Sequence, residues 1–303
     1  MGNELNFLAT DMEKQRIDKA LALLQPDMSR SYIQKIIKDG KVLVNQKAVK
    51  ANYKLEATDK ITVYVPDPVV LDIQPEKMDL DILYEDDDII VVNKAKGVVV
   101  HPAAGHYSGT IVNGLLYHCA GQLSGINGIM RPGIVHRIDM NTTGAIVACK
   151  NDTAHRFIAE QLKEHSITRR YEAIVYNRFQ QKDGIVDAPI GRHPVDRKKM
   201  AVNYKNGKHA VTHYHVLGNL KGNYSYIQCE LETGRTHQIR VHMASINHPL
   251  LGDDVYGPAK SPMRLQGQTL HARILGFIHP TTKQYIEFEA PLPEYFDKLL
   301  RTI

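Results

Sequence analysis

The chain has 303 residues, 43% of them hydrophobic, and its 38 Lys and Arg against 33 Asp and Glu give a formal net charge of +5. That length accommodates two domains and that apolar content a sizeable core, which excludes a disordered or low-complexity chain. No run approaches the ~18 apolar residues of a membrane span, and Met1 to Arg16 lacks the basic-then-apolar order of a secretory leader, so neither insertion nor secretion is expected.

The first predicted element is a helix over Arg16 to Leu24, whose apolar residues at 17, 20, 21 and 24 follow helical spacing. A second helix follows, capped by Ser29 or Ser31, striped by Tyr32, Ile33, Ile36 and Ile37, and ended by Asp39-Gly40. Short strands are expected at 41–46 and 61–65. Between Lys14 and Val65, 11 Lys and Arg stand against 5 Asp and Glu, so the basic excess sits in this module and suits a polyanionic partner. Arg30, Lys35, Lys38, Lys41 and Lys47 lie on or just after the second helix, where they can meet phosphate oxygens or serve only as solvated surface.

Pro66, Pro68 and Pro75 punctuate an aperiodic stretch that reads as a linker over 66–80. Beyond it, Ile89 to Val92 is a short strand after an acidic solvated turn at 85–88. Thr110 caps a helix through Cys119. Ile134-Val135 and Ala145 to Ala148 read as buried strands on either side of a loop whose turn chemistry comes from Asn141 and Gly144. Asp152 caps a helix through Lys163, and strand-like runs recur at 171–176, 209–217, 224–231 and 284–289. Clustered strands with few long helices argue for an α+β fold with an antiparallel or mixed sheet.

Cys119, Cys149 and Cys229 are widely spaced with no CxxC pair, which suits a reducing compartment, the cytoplasm by default. The 15 histidines include no HExxH, and no P-loop or GxGxxG is present, so neither a metal nor a nucleotide cofactor is expected.

The most informative stretch, Gly133 to Gly144, sets Asp139 two residues after Arg137 in the loop between those apolar runs. By residue type alone, Asp139 is either a turn cap paired with Arg137 or a reactive carboxylate. A second segment, Leu231 to His242, changes the weighting. Together HRIDMNTTG and LETGRTHQIRVH resemble the signatures of the RluA/RluD family of RNA pseudouridine synthases. NKAKGVVVHP at 93–102, RRYEAIV at 169–175, IGRHPVDRKKMAV at 190–202 and HPLLGDDVYG at 248–257 continue the match in chain order. Ile138 stands where the family usually has Leu, and Thr143 where it usually has Ser. In the first module, SRSYIQKIIKDGKVLVNQK resembles the S4 RNA-binding module with its α-L motif.

The resemblance implies an S4 domain over 14–75 and a catalytic domain over 81–303 with a large mixed, mainly antiparallel sheet and a central cleft. It implies an isomerase that detaches uracil from C1′ of its ribose and rejoins it through C5, with no cofactor and no metal. Asp139 would attack C1′ or remove a sugar proton, two routes the residues do not distinguish. Arg235 would be its counter-ion, ahead of an amphipathic segment from Thr236 to Ile246 whose N-terminal dipole favours an anion. Tyr171 would stack on the uracil, and Ile239 would wall the pocket. Arg137 would fill the gap left by the everted nucleotide, with His136 supporting the loop. Asn93, Lys94 and the Arg192–Lys199 loop, including Lys198, would follow the RNA backbone. Large-subunit ribosomal RNA is the expected target, transfer RNA the alternative, and a monomer the expected state. Two rival readings are an inert S4-bearing ribosome-assembly factor and a nucleoside or glycoside hydrolase. The hydrolase commonly needs a second acid, for which no motif provides.

Overall fold

The computed structural model describes residues 3–25, 28, 30–65, 73–103, 106–126, 128, 131–196, 199–259, 263 and 265–303. Ser29, Lys198 and the 66–72 part of the expected linker lie outside them. The chain divides into two compact units, Met1–Leu71 and Asp72–Ile303. Among the described residues no helix is long and apolar enough to cross a membrane.

The first unit comprises β1 (Asn3–Leu8), α1 (Ile17–Leu24), α2 (Arg30–Lys38), β2 (Val42–Val44), β3 (Lys47–Ala48) and β4 (Lys60–Val65). Its sheet runs β1-β4-β2-β3. The helical stripes bury as expected: Ile17, Ala20 and Leu21 of α1 and Ile33, Ile36 and Ile37 of α2 pack on Val42, Val44, Ile61 and Val63. Gly40 takes the left-handed backbone, φ 70°, that ends α2. Strand β1 was not expected from the sequence. Its antiparallel pairing with β4 supplies partners that NELNFL alone does not specify.

Two carboxylates, Asp18 and Asp59, are buried in this unit. Asp18 accepts hydrogen bonds from Gln34 Nε2 at 2.6 Å, Arg30 Nη2 at 2.8 Å and Arg16 Nε at 3.0 Å. Burial alone would raise its pKa, but these three donors overcome that and hold the carboxyl at about 2. Arg30 thus pairs with a buried acid while its side chain remains 46% exposed. Lys35, Lys38, Lys41 and Lys47 are exposed.

The second unit begins with β5 (Ile82–Glu85), β6 (Ile89–Lys94), α3 (Ile111–His118), β7 (Thr143–Cys149) and α4 (Asp152–Lys163). It continues with β8 (Thr168–Tyr176), β9 (Asp183–Asp187), β10 (Ile190–Arg192), β11 (Met200–Val202), β12 (Val211–Leu220) and β13 (Tyr224–Leu231). It ends with α5 (Gln238–Ser245), β14 (Leu270–Ile278), β15 (Tyr285–Glu289) and α6 (Glu294–Thr302). The fold is α+β: a nine-stranded sheet runs β5-β6-β7-β14-β8-β13-β12-β9, with β15 on β14, and β10 and β11 form a separate hairpin. Only the β7–β14 pairing among these is parallel.

Strands β6 and β7 read as unbroken apolar runs because both faces of the sheet are covered there. Ile90, Val92, Ile146 and Ala148 join the core under α3, while Ile89, Val91, Val147 and Cys149 join a second core with Ala154 and Ile158 of α4. Two local expectations change. Ile134-Val135 is not a strand: Ile134 makes one isolated bridge to Ala148 and the chain then leaves as a loop. The cap of α4 is Asn151, which accepts from the Ala154 amide at 2.9 Å, while Asp152 instead accepts from Ser124 Oγ at 2.6 Å.

Gly144 shows why the loop motif ends in glycine. It sits at φ 108°, and a Cβ there would lie 2.2 Å from the Ala272 carbonyl oxygen of β14. The parallel pairing that joins the two halves of the sheet therefore requires a residue without a side chain. Gly144→Ala is expected to cost more than about 3 kcal/mol through overpacking against backbone. Denaturant unfolding reads this directly, and a loss below about 1 kcal/mol would mean that the strands separate without cost.

Candidate active site

The loop from Gly133 to Thr142 carries the acid and is pinned from three sides. His136 Nε2 accepts the Val147 amide of β7 at 3.0 Å. Burial and the nearby Arg169 charge push this imidazole down to about 3, so it is neutral and acts as an acceptor. The Thr142 amide bonds the Asp139 carbonyl at 3.0 Å, closing the turn. From below, Lys94 Nζ donates to the carbonyls of Ala95, Val98 and Met140, each at 2.8 Å.

Lys94 is only 1% exposed. Burial pulls its ammonium down to about 7, while Asp139 pulls it up. The expectation that it follows the RNA backbone is therefore corrected. Its three donors satisfy three buried carbonyls, one of them next to Asp139, so it sets the loop rather than touching a ligand. Asn93 donates to Asp81 at 2.8 Å.

The Asp139 side chain is 20% exposed and faces a pocket of about 430 Å³. Its counter-ion is Arg240, not Arg235: Arg240 Nη1 donates to Asp139 Oδ2 at 3.0 Å. The same guanidinium is gripped in a two-pronged pair by buried Asp253, Nε to Oδ2 at 2.7 Å and Nη2 to Oδ1 at 2.9 Å. Asp253 also accepts the amides of Val255 and Tyr256 at 2.9 and 3.0 Å. Burial would lower the Arg240 pKa, but Asp253 and Asp139 drive it well above its ordinary value. Burial would likewise raise Asp253, but Arg240 and the two amides hold it low. Two carboxylates thus share one guanidinium, leaving net negative charge on the edge that faces the pocket.

Arg235 points elsewhere, its Nε donating to the His209 carbonyl at 2.9 Å. The turn that carries it is fixed by Gln238, whose Oε1 accepts from the Arg235 amide at 2.9 Å and Thr233 Oγ1 at 2.8 Å. Nor is the following helix amphipathic. Gln238 through Met243 are all buried, so α5 is a core helix and its arginine is an internal group.

Tyr171 of β8, Leu231, Ile239 and Leu270 supply the apolar walls. Burial raises the Tyr171 pKa, so its phenol is protonated at neutral pH. His237, also on the wall, holds a left-handed backbone at φ 56° and lies 3.9 Å from Asp139 Oδ1 through Nε2. Its Nδ1 is 2.8 Å from the Tyr256 hydroxyl, which in turn accepts the Met200 amide at 2.9 Å. His237 thereby links the Tyr256 hydroxyl on one ring nitrogen to the acid on the other. Arg137 is exposed at the mouth, its Nη1 3.4 Å from His101 Nε2.

Among the peripheral residues, Arg192 is exposed on β10, and Lys199 donates to the Val255 carbonyl at 3.1 Å, tying its loop to the segment behind Asp253. No role was read from the sequence for Arg240, Asp253, His237 or Tyr256. The available signal was an arginine inside the run Gln238-Ile239-Arg240-Val241, which when buried demands an acid.

The chain matches a family model described as RNA pseudouridylate synthase over residues 88–245 and one described as S4 domain over residues 15–61. It is 53% identical over 302 residues to an uncharacterized RNA pseudouridine synthase, YlyB, of Bacillus subtilis (strain 168), covering 99% of this chain and 98% of that protein. It is 47% identical over 313 residues to ribosomal large subunit pseudouridine synthase D of Zymomonas mobilis, covering 100% and 98% respectively. In fold it is similar to human RNA Pseudouridylate Synthase Domain Containing 1, with a TM-score of 0.57 at 24% identity over 78% of this chain and 98% of that one.

Proposed function

The chain belongs to the RNA pseudouridylate synthase family, and from that premise we propose that it converts particular uridines of large-subunit ribosomal RNA to pseudouridine with Asp139 as the reacting group. It is an RNA pseudouridine synthase, an isomerase, and it carries an S4 RNA-binding domain. The choice of ribosomal RNA over transfer RNA rests on the relative named ribosomal large subunit pseudouridine synthase D, matched along its whole length. Its place of action would be the cytoplasm, as a monomer.

The observation that carries the mechanism is that Asp139 is the one carboxylate among the described residues lining the pocket, 3.0 Å from a guanidinium held in place by Asp253. An everted uridine entering this pocket meets an oriented anion at its sugar and the Tyr171 ring at its base. In the addition route an Asp139 oxygen bonds C1′ as the N1–C1′ bond breaks, and uracil leaves with the electron pair. The base turns, C5 bonds C1′ and releases the carboxylate, the C5 proton is lost and N1 gains one. In the elimination route Asp139 takes a sugar proton instead. Both need a carboxylate anion held in one direction, and the Arg240 hydrogen bond aims it. Leu231, Ile239 and Leu270 hold the freed base out of water.

Mapping pseudouridines across the RNA of cells with and without the gene tests the substrate. Sites in large-subunit ribosomal RNA are expected to vanish on deletion and return with the wild-type chain. Loss confined to transfer RNA would overturn the assignment.

A further inference from the structure

Beside the Asp139 pocket lies a larger groove of about 1520 Å³ that shares Arg137, Tyr171, Gly234 and Arg235 with it. Its described lining holds Arg131, Arg137, Lys163, Arg169 and Arg235 and no carboxylate. Lys163 is answered by Glu160 at 2.7 Å. The four arginines have no acidic partner within ion-pair distance among the described residues.

Arg169 is the telling member, because it is only 7% exposed. Its Nη2 donates to the carbonyls of Glu232 and Leu231 at 3.1 and 3.5 Å, and its Nε has no partner. A buried guanidinium without a counter-charge is costly, and two carbonyls do not neutralise it. Burial and the Arg235 charge both pull its pKa down, as befits a cation facing cations. Capping two carbonyls uses only Nη2. The Nη1 edge lies against Gly234, where a Cβ would come within 2.7 Å of it, so the glycine of the Glu232-Thr233-Gly234-Arg235 turn keeps that edge clear.

We propose that this groove is a phosphodiester subsite, in which Arg169, Arg235 and Arg131 hold a backbone phosphate of the substrate strand next to the everted nucleotide. The inference rests on the RNA reading above and gives Arg235 a phosphate to hold, in place of the counter-ion role that Arg240 fills. Continuity with the nucleoside pocket favours a phosphate within the same strand over a free anion. The two-pronged donor geometry of arginine suits phosphate oxygens.

The test uses the full chain and a uridine-containing RNA hairpin on which the wild type releases tritium from C5, so that turnover itself checks the parent reading. Neutral methylphosphonates replace, one at a time, the phosphates flanking the target. At one position the wild type is expected to lose about tenfold in affinity, and its log Kd against log salt slope to shrink by about 0.7. In Arg169→Gln and in Arg131→Gln the natural RNA already binds about tenfold more weakly, and the same neutral phosphate then costs less than about twofold. Arg131 is exposed, so its variant keeps the test valid if Arg169→Gln does not fold; Arg169→Lys should recover part of the loss.

Full additivity of the phosphate and arginine losses at every position overturns the subsite. Inorganic phosphate is titrated as a competitor at constant ionic strength. Competition that depends on Arg169 and exceeds that of chloride would assign the groove to a free anion instead. Turnover without coupling sinks the subsite alone, and coupling without turnover sinks the catalytic reading alone.

Discussion

Asp139→Asn is expected to lower single-turnover pseudouridine formation by at least about ten-thousandfold, while RNA affinity stays within about threefold. The amide keeps the shape of the carboxyl and still accepts from Arg240, but it has no charge with which to attack C1′ or take a proton. The fold should tolerate the change, because Arg240 retains both bonds to Asp253. Loss of activity would therefore not reflect a stranded guanidinium. Tritium release from C5-labelled uridine RNA reads the rate, and turnover within about tenfold of wild type would remove Asp139 from the chemistry.

The second large effect belongs to Arg240. Arg240→Gln is expected to cost about a hundredfold to a thousandfold in turnover, because the carboxylate loses its orienting charge-assisted bond. It should also cost about 3–5 kcal/mol of stability, since Asp253 is left buried and unpaired. The paired change Arg240→Gln with Asp253→Asn separates the two consequences. Thermal or denaturant unfolding should recover most of the stability, and turnover should not recover. Recovery of both would make Arg240 a structural residue with no influence on the reaction.

Much of this molecule was readable in one dimension. The helical stripes of α1 and α2 and the turn between two apolar runs follow from local periodicity and turn chemistry, while the placement of Tyr171 and Ile239 on the pocket wall follows only from the family resemblance of the long motifs. Contacts across large sequence distances were not readable. Strand β14, Leu270–Ile278, runs at the centre of the sheet, yet LHARILGFI lacks alternation because cores on both faces bury it, Leu270 and Ala272 in one and Leu275 and Phe277 in the other. Lys94 was expected along the RNA backbone from the motif resemblance, whereas here three carbonyls, one of them 46 residues away, satisfy its donors. Arg240 was hidden in a helix read as amphipathic, and its acid, Asp253, lies 13 residues on in a different motif. Between two arginines five positions apart in one signature, residue type could not say which one meets the acid. Burial decides it: the sequestered arginine needs two carboxylates, and the one at the rim is left for the ligand.

The most direct measurement of this assignment compares Arg240→Gln/Asp253→Asn with Arg235→Gln, recording for each the single-turnover rate at saturating RNA and the RNA concentration giving half the maximal rate. The account predicts that the first variant loses rate with little change in half-saturation. The second should need about tenfold more RNA and lose far less rate. The reverse pattern, with the rate collapsing in Arg235→Gln and surviving in the paired variant, would contradict it.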